Sequence, residues 1–421
     1  MGHLSATLRN LKALLIEQGS RHLLGLLVLP YLLHIYSPGD YGPLLMAQAL
    51  AGIMMVLADY GFNITAVQAI AEHRENRAWC SRISGEVLVL RTALGGLLWP
   101  LYLGLIVALH LPLGYALACY LPVFTGAWFP NWIFYGVERM AGPARLQIAG
   151  QVLFVAGIFG FVHAGMPPVA VAWVQAAVSL FVTGTAWIFL QQGAFAVHWR
   201  RPSLQRLRQR MIENFPIALG ITASVLFTTG NTFVIGAWGT AALAGLFGVA
   251  WKFFGVLLAV IGQTQTAAYP RLSRLRRQDP EAARRFFWEY LGVLLLVFSG
   301  IALGAQFLLP LVLPWVTGSH YPGSLVLIQI LVYALPAVVL NFMLTNFLFL
   351  NRGRYWAFSG VLVSTAIWDL CAIGLSLYWH LGPAGLGWAY VSTELFETGI
   401  LVTLSLYSRY RTTVPESPCL L

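Results

Sequence analysis

The chain has 421 residues, of which 58% are hydrophobic and only 10% charged, and its mean hydropathy is +0.73. This excludes a water-soluble globular protein and describes an integral membrane protein whose apolar stretches recur at about 20 residues each. The formal net charge of +10 would point to nucleic acid in a soluble chain, but here the charge is confined to one side of the spans, which excludes nucleic acid as a partner and assigns the basic clusters to topology and anionic membrane lipid.

In chain order, apolar runs between polar or Pro/Gly breaks predict an all-α protein of about twelve transmembrane helices, near 11–34, 43–66, 84–108, 113–135, 146–164, 168–190, 214–237, 241–268, 287–309, 323–349, 356–379 and 385–407. Arg9 and Lys12 precede the first span, and Arg74, Arg77 and Arg82 follow the second. Arg139 and Arg145 follow the fourth, and the run Arg200, Arg201, Arg206, Arg208 and Arg210 follows the sixth. Further clusters at 271–285, at Arg352 and Arg354, and at Arg409 and Arg411 keep to the same side if the spans alternate, while the intervening loops hold no Lys or Arg. The positive-inside rule places both termini in the cytoplasm. The first apolar stretch contains Glu17 and Arg21 and runs on to Pro30 without a small-residue cleavage site, so it reads as a retained helix rather than a signal peptide.

The longest polar interruption, 197–214, divides the chain almost in half. It predicts an N-terminal six-helix lobe over 1–196, a cytoplasmic inter-lobe linker over 197–214, a C-terminal six-helix lobe over 215–407 and a cytoplasmic tail over 408–421. The stretch from Tyr41 aligns without gaps on the stretch from Ala244, setting Gly42 on Gly245 and Ala47 on Ala250. Two such parallel repeats predict lobes related by a pseudo-twofold axis along the membrane normal, with a site between them. Prolines inside the predicted spans, at Pro30, Pro100, Pro122, Pro130 and Pro336, mark candidate kinks.

Nine ionisable residues are read as lying at membrane depth: Glu17, Arg21, Asp59, Glu86, Arg91, Lys252, Asp369, Glu394 and Glu397. Lys252 sits in a charge-free run from Trp238 to Pro270, roughly 16–20 Å from either end at about 1.5 Å per residue. A charge at that depth costs on the order of 2.5–3.5 kcal/mol on insertion scales and needs a partner, a wet cavity or a function. Glu17 and Arg21 are spaced to pair on one helix face, whereas Glu86 and Arg91 are five apart and point in different directions. Arg21, Arg91 and Lys252, if they converge, make a cationic cavity for a pyrophosphate group. Trp128, Trp132, Trp251 and Trp368 are candidates to stack on sugar rings, while Trp99, Trp238, Trp315 and Trp379 fall near the outer interface, where an aromatic belt is expected. Glu394 and Glu397 share a helix face, where mutual repulsion favours holding a proton on one of them. With Asp59 and Asp369 they are the candidates for ion coupling.

No nucleophile elbow, zinc-protease helix or phosphate-binding loop is present, and Cys80, Cys119, Cys371 and Cys419 are scattered. No catalytic residue, metal site or cofactor is therefore assigned.

Several stretches resemble the O-antigen flippases (Wzx-type) of the superfamily that also holds multidrug extrusion antiporters. They are LPYLLHIYSPGDYG from Leu29, DYGFNITAVQAIAEHR from Asp59, NWIFYGVERM from Asn131, YPRLSRL from Tyr269 and LGPAGLGWAYVSTELF from Leu381. Where that family often carries a basic residue after the second-helix signature, this chain has Gln68. The resemblance implies a multidrug-extrusion-like fold in a bacterial inner membrane. It also implies a flippase that moves undecaprenyl-pyrophosphate-linked oligosaccharide to the periplasmic leaflet, working beside a polysaccharide polymerase and a chain-length regulator. The alternative is an ion-coupled drug or small-cation antiporter on the same fold, which predicts an acidic rather than a basic lumen.

Overall fold

A computed structural model describes residues 2–73, 75–192, 202–348 and 355–411. Arg74, Arg200, Arg201, Arg352 and Arg354, the first part of the expected linker, and the end of the tail with Cys419 lie outside the described residues. The described backbone is built from sixteen α-helices in the order α1 (Gly2–Ile35), α2 (Pro38–Asp59), α3 (Phe62–Glu72), α4 (Arg77–Ala108), α5 (Gly114–Trp128), α6 (Asn131–Gly136), α7 (Ala141–Phe161), α8 (Val169–Gln192), α9 (Leu204–Leu226), α10 (Asn231–Trp238), α11 (Ala241–Gln278), α12 (Pro280–Thr317), α13 (Pro322–Leu331), α14 (Leu335–Leu348), α15 (Tyr355–Tyr378) and α16 (Gly382–Arg411).

All twelve expected stretches fall on helical backbone. Among the described residues, eight helices are long and apolar enough to cross a membrane, or nine if the pair α9 and α10, bent by 57°, is one span. The shortfall from twelve has visible causes. Glu17 and Arg21 lower the hydropathy of α1, α5 is only 15 residues long, and α16 carries Glu394 and Glu397 among hydroxylated residues.

Helix starts and breaks follow local chemistry. Ser37 caps α2, accepting from the backbone N–H of Asp40 at 3.3 Å, and Pro38 occupies the first turn, where its missing N–H costs nothing. The same span breaks at Tyr60 and Gly61, both left-handed at φ 51° and 78°, so the Asp59-Tyr60-Gly61-Phe62 signature is the joint between α2 and α3. Of the candidate proline kinks, Pro30, Pro100 and Pro122 lie inside continuous helices. Pro130 caps α6 at the joint after α5, and Pro336 follows a 3-10 turn over Val332–Ala334.

The chain forms two compact units. The first comprises Met1–Lys252 with Leu313–Pro322. Within it α1 packs on α7, α8 on α5 and α7, α3 on α6, and α2 on α4, α5, α9 and α10. The phenol of Tyr321 donates to the carbonyl of Tyr36 at 2.8 Å and anchors the short 313–322 segment there. The second unit comprises Phe253–Val312 with Gly323–Leu421, where α16 packs on α15 and α14.

At the start of α2, a Cβ on Gly42 would come within 1.8 Å of the carbonyl oxygen of Ala241, and a Cβ on Gly245 within 2.2 Å of that of Pro38. The register that sets Gly42 on Gly245 also sets Pro38 on Ala241, so the contact between α2 and the start of α11 is reciprocal. Each glycine admits the backbone position equivalent to the one its counterpart meets, the self-complementary geometry of a twofold contact.

Candidate functional site

Lys252 lies about a third of the way along α11, three turns from its start, and is exposed. Its side chain reaches a cavity of about 410 Å³ inside the first unit, walled by α1, α2, α7 and α8. Among the described residues lining this cavity Lys252 carries the one formal charge, and no carboxylate shares the wall. A polar pocket removes much of the reason for excluding an ammonium from a membrane helix.

The rest of the polar wall is uncharged: Gln48, Gln151, Gln175 and Ser179. Gln48 Nε2 donates to Gln175 Oε1 at 2.9 Å and joins α2 to α8 across the cavity. Ser179 donates to its own helix at Ala176, 2.8 Å away. Leu29, Val178 and Phe154 supply the apolar wall. None of these residues entered the sequence-based list of candidates, which counted ionisable groups and tryptophans. The available signal was three glutamines set inside apolar spans.

Arg91 and Asp59 form a separate buried pair. Arg91 Nη2 stands 3.0 Å from Asp59 Oδ1, with the two side chains 4% and 16% exposed. The same nitrogen donates to the carbonyl of Gly126 at 3.0 Å, and the guanidinium lies over the ring of Trp132, 4.7 Å from its centroid. Ion pair, carbonyl and π-face together offset part of the loss of hydration, while Arg91 Nε and Nη1 are buried without a hydrogen-bond partner among the described residues. The break after α2 delivers Asp59 to this position, so the most recognisable motif of the sequence terminates a helix and neutralises Arg91.

Arg21 pairs with Glu17 one turn earlier, as the spacing predicted, and donates to Gln147 of α7 at 2.9 Å. Glu86 is held by Arg210 at 2.8 Å and Arg206 at 3.2 Å, both from the start of α9. Glu86 and Arg91 thus go to different partners. Of the three basic residues expected to converge, only Lys252 lines the cavity; Arg21 and Arg91 are engaged in ion pairs outside its wall.

The tryptophans divide by packing. Trp132 is fully buried in the core beneath Arg91, Trp251 is buried and stacked on Phe247 at 5.9 Å, and Trp128 is exposed. Trp368 stacks on Phe396 at 4.6 Å and donates to Ser392 at 3.2 Å. None of the four lines the cavity of Lys252.

In the second unit, Asp369, Glu394 and Glu397 are all buried. Thr393 donates to Asp369 Oδ1 at 3.0 Å. Glu394 accepts from the Tyr390 hydroxyl at 2.5 Å and from Asn341 Nδ2 at 2.9 Å, and Thr398 closes the network by donating to Asn341 Oδ1 at 2.7 Å. Among the described residues no cluster of His, Cys, Asp and Glu is arranged to hold a metal ion.

Residues 7–276 match the family described as polysaccharide biosynthesis protein. Two similar proteins are named as O-antigen transporters. One, from Escherichia coli (strain K12), is 26% identical over 277 residues, covering 63% of this chain and 64% of the relative. The other, from Shigella dysenteriae, is 24% identical over 415 residues, covering 94% of this chain and 98% of the relative. The match therefore spans just under two thirds of the first relative and nearly all of the second. Among solved structures, an inward-facing multidrug resistance MATE family transporter of the MOP superfamily superposes with a TM-score of 0.68 at 15% identity over 94% of both chains. A MOP superfamily transporter from Pyrococcus furiosus, described by the reverse polarity of its binding pocket, superposes with a TM-score of 0.56 at 15% identity over 96% of both chains. At such identities the likeness carries the fold alone, and that fold is the multidrug-extrusion one. With more than half of its length matched to the family profile, the chain belongs to the polysaccharide biosynthesis protein family.

Proposed function

We propose that this chain is a flippase, not an enzyme, that carries an anionic, polyprenyl-pyrophosphate-linked oligosaccharide from the cytoplasmic to the periplasmic leaflet of a bacterial inner membrane. In this reading both termini are cytoplasmic, and the lobes 1–196 and 215–407, joined by 197–214, alternate in access. The family and the names of the relatives support it. The observation that carries it is the polarity of the cavity: a lysine with no carboxylate on the wall attracts an anion and repels the cation that a drug antiporter would carry. Dragging a charged, hydroxyl-rich headgroup through hydrocarbon is the cost to be reduced. A wet, basic pocket holds the head while the polyprenyl tail stays in lipid.

The test is substitution of the lysine. Lys252→Ala is expected to insert at least as well as the wild type, being relieved of a charge at membrane depth, and to lose surface polysaccharide. Lys252→Arg is expected to keep part of the export, because a point charge on phosphate tolerates another cation. Immunoblots of membrane fractions beside surface-glycan staining read both quantities. Full export by a stable Lys252→Ala protein rules the reading out.

Coupling to a proton or sodium gradient belongs to the same proposal, with the carboxylates of the second unit as its carriers. Both carboxylate oxygens of Glu394 are taken up by Tyr390 and Asn341, which gives Glu394 a structural share. Glu397, on the same face of α16, is the better candidate to load and release an ion. Glu397→Gln is expected to make export independent of the pH gradient at unchanged protein level, and Glu394→Gln to lower the protein level. Export by Glu397→Gln that still follows the gradient removes Glu397 from the proposal.

A further inference from the structure

We infer that the amide wall beside Lys252, formed by Gln48, Gln175 and Gln151, is a saccharide subsite that binds the sugar attached to the pyrophosphate and selects which headgroup is moved. The inference rests on the flippase reading and adds to it the part of the cargo that this wall recognises.

The argument begins with hydrogen-bonding capacity. A carboxamide offers two N–H donors and a carbonyl with two lone pairs. The contact between Gln48 and Gln175 uses one donor and one lone pair, so whichever way the amides are turned the pair keeps both donors and acceptors on neighbouring atoms. That array matches vicinal hydroxyls, each of which donates and accepts. Among the described residues Gln151 makes no hydrogen bond to the protein while lining the same cavity, and Ser179, whose proton goes to Ala176, keeps its acceptor lone pairs. Phe154 and Val178 complete the wall with apolar surface for the C–H face of a sugar ring.

Charge narrows the cargo further. The wall holds several uncharged polar groups and a single cation, which suits a hydroxylated ring beside the pyrophosphate and leaves nothing to neutralise a basic sugar. Space permits it as well. A Cβ on Gly25, which lines the cavity, meets no atom within 4 Å, so the α1 side is open rather than filled by packing. A site that hydrogen-bonds a substrate hydroxyl discriminates strongly, because its own polar groups are left unpaired by the wrong ligand.

The experiment measures binding to the purified full chain in detergent. The probes are undecaprenyl pyrophosphate and the same lipid bearing one glucose, galactose or N-acetylglucosamine. Wild type is expected to bind at least one sugared probe about tenfold more tightly than the bare lipid, the gain from one or two added hydrogen bonds. The double variant Gln48→Leu/Gln175→Leu removes both partners of one hydrogen bond and so orphans neither; it is expected to bind that sugared probe no better than the bare lipid, losing far more affinity for the sugared probe than for the bare lipid. Gly25→Leu keeps every hydrogen bond and fills the open side, and is expected to weaken the sugared probe by a similar factor without lowering the unfolding temperature. Lys252→Ala weakens bare and sugared probes alike. The subsite is overturned if no sugar improves wild-type binding, or if the glutamine variants lose both kinds of probe in equal proportion. If wild type binds none of the probes, or Lys252→Ala binds them all as wild type does, the flippase reading falls and the subsite with it.

Discussion

Arg91→Ala is expected to remove most of the protein from the membrane. The substitution leaves the Asp59 carboxylate, only 16% exposed, without the cation that stands 3.0 Å away, and it strips the face of Trp132 of its guanidinium. Breaking a buried ion pair from one side costs about 3–5 kcal/mol, because the remaining charge keeps its desolvation penalty and loses its compensation. That is comparable with a large fraction of the stability of a typical domain. The reverse truncation, Asp59→Ala, strands Arg91 and is expected to cost a similar amount. Removing both charges together, as Arg91→Met with Asp59→Leu, is expected to restore accumulation to near wild type, since replacing a buried pair by apolar side chains is often neutral or better. Immunoblots of the four proteins and their unfolding temperatures in detergent separate the loss of the pair from the cost of the single charge left buried. A single Arg91→Ala protein that accumulates and melts like wild type defeats the claim that this pair is structural.

The second large effect is expected at the reciprocal glycine contact. Gly42→Ala places its methyl carbon 1.8 Å from a backbone oxygen of α11, and Gly245→Ala places one 2.2 Å from a backbone oxygen of α2. No side-chain rotation relieves either clash, because the atoms met are main chain. The helices must part, and with them the packing of the neighbouring turns, where Gly236 and Gly248 already lie close to Met46 and Leu45. The cost is expected to exceed the 1–3 kcal/mol typical of an overpacked core. Gly25→Ala is the control: its methyl meets nothing within 4 Å, and in a helix interior it is expected to stabilise by roughly 0.5–1 kcal/mol. Unfolding temperatures of the three purified variants separate clash from helix propensity. If Gly42→Ala behaves like Gly25→Ala, the two helices do not approach as closely as described.

These two sites also show how different parts of the protein become legible. Helix positions could be read from the chain because burying an apolar stretch of about 20 residues is a local requirement that any segment meets or fails by itself. The described parts of the twelve expected stretches fall on helices, three of them with a break inside, and eight or nine helices meet that requirement by themselves. The Glu17 and Arg21 pair was legible because the pitch of a single helix brings residues four apart together. The glycine register was also visible as a faint repeat, but the sequence alone offered no reason for two matching glycines. The reason is the backbone of another helix.

Partnership between helices lay beyond the sequence. The spacing of Glu86 and Arg91 showed only that they do not pair on one helix; the break at Tyr60 and Gly61 gives Arg91 the carboxylate of Asp59, and the placement of α9 gives Glu86 to Arg206 and Arg210. Trp128 and Trp132 look alike in sequence, yet one is exposed and the other fully buried, because the joint between α5 and α6 turns the second into the core. Lys252 announced itself by the cost of its charge. Gln48, Gln151 and Gln175 did not, since a single amide in an apolar span is cheap enough to pass unnoticed. The sequence by itself determined that this is a helical membrane protein with one lysine too deep to be idle. Only the tertiary structure decided what that lysine faces, because the facing groups come from other helices and meet it only when those helices pack.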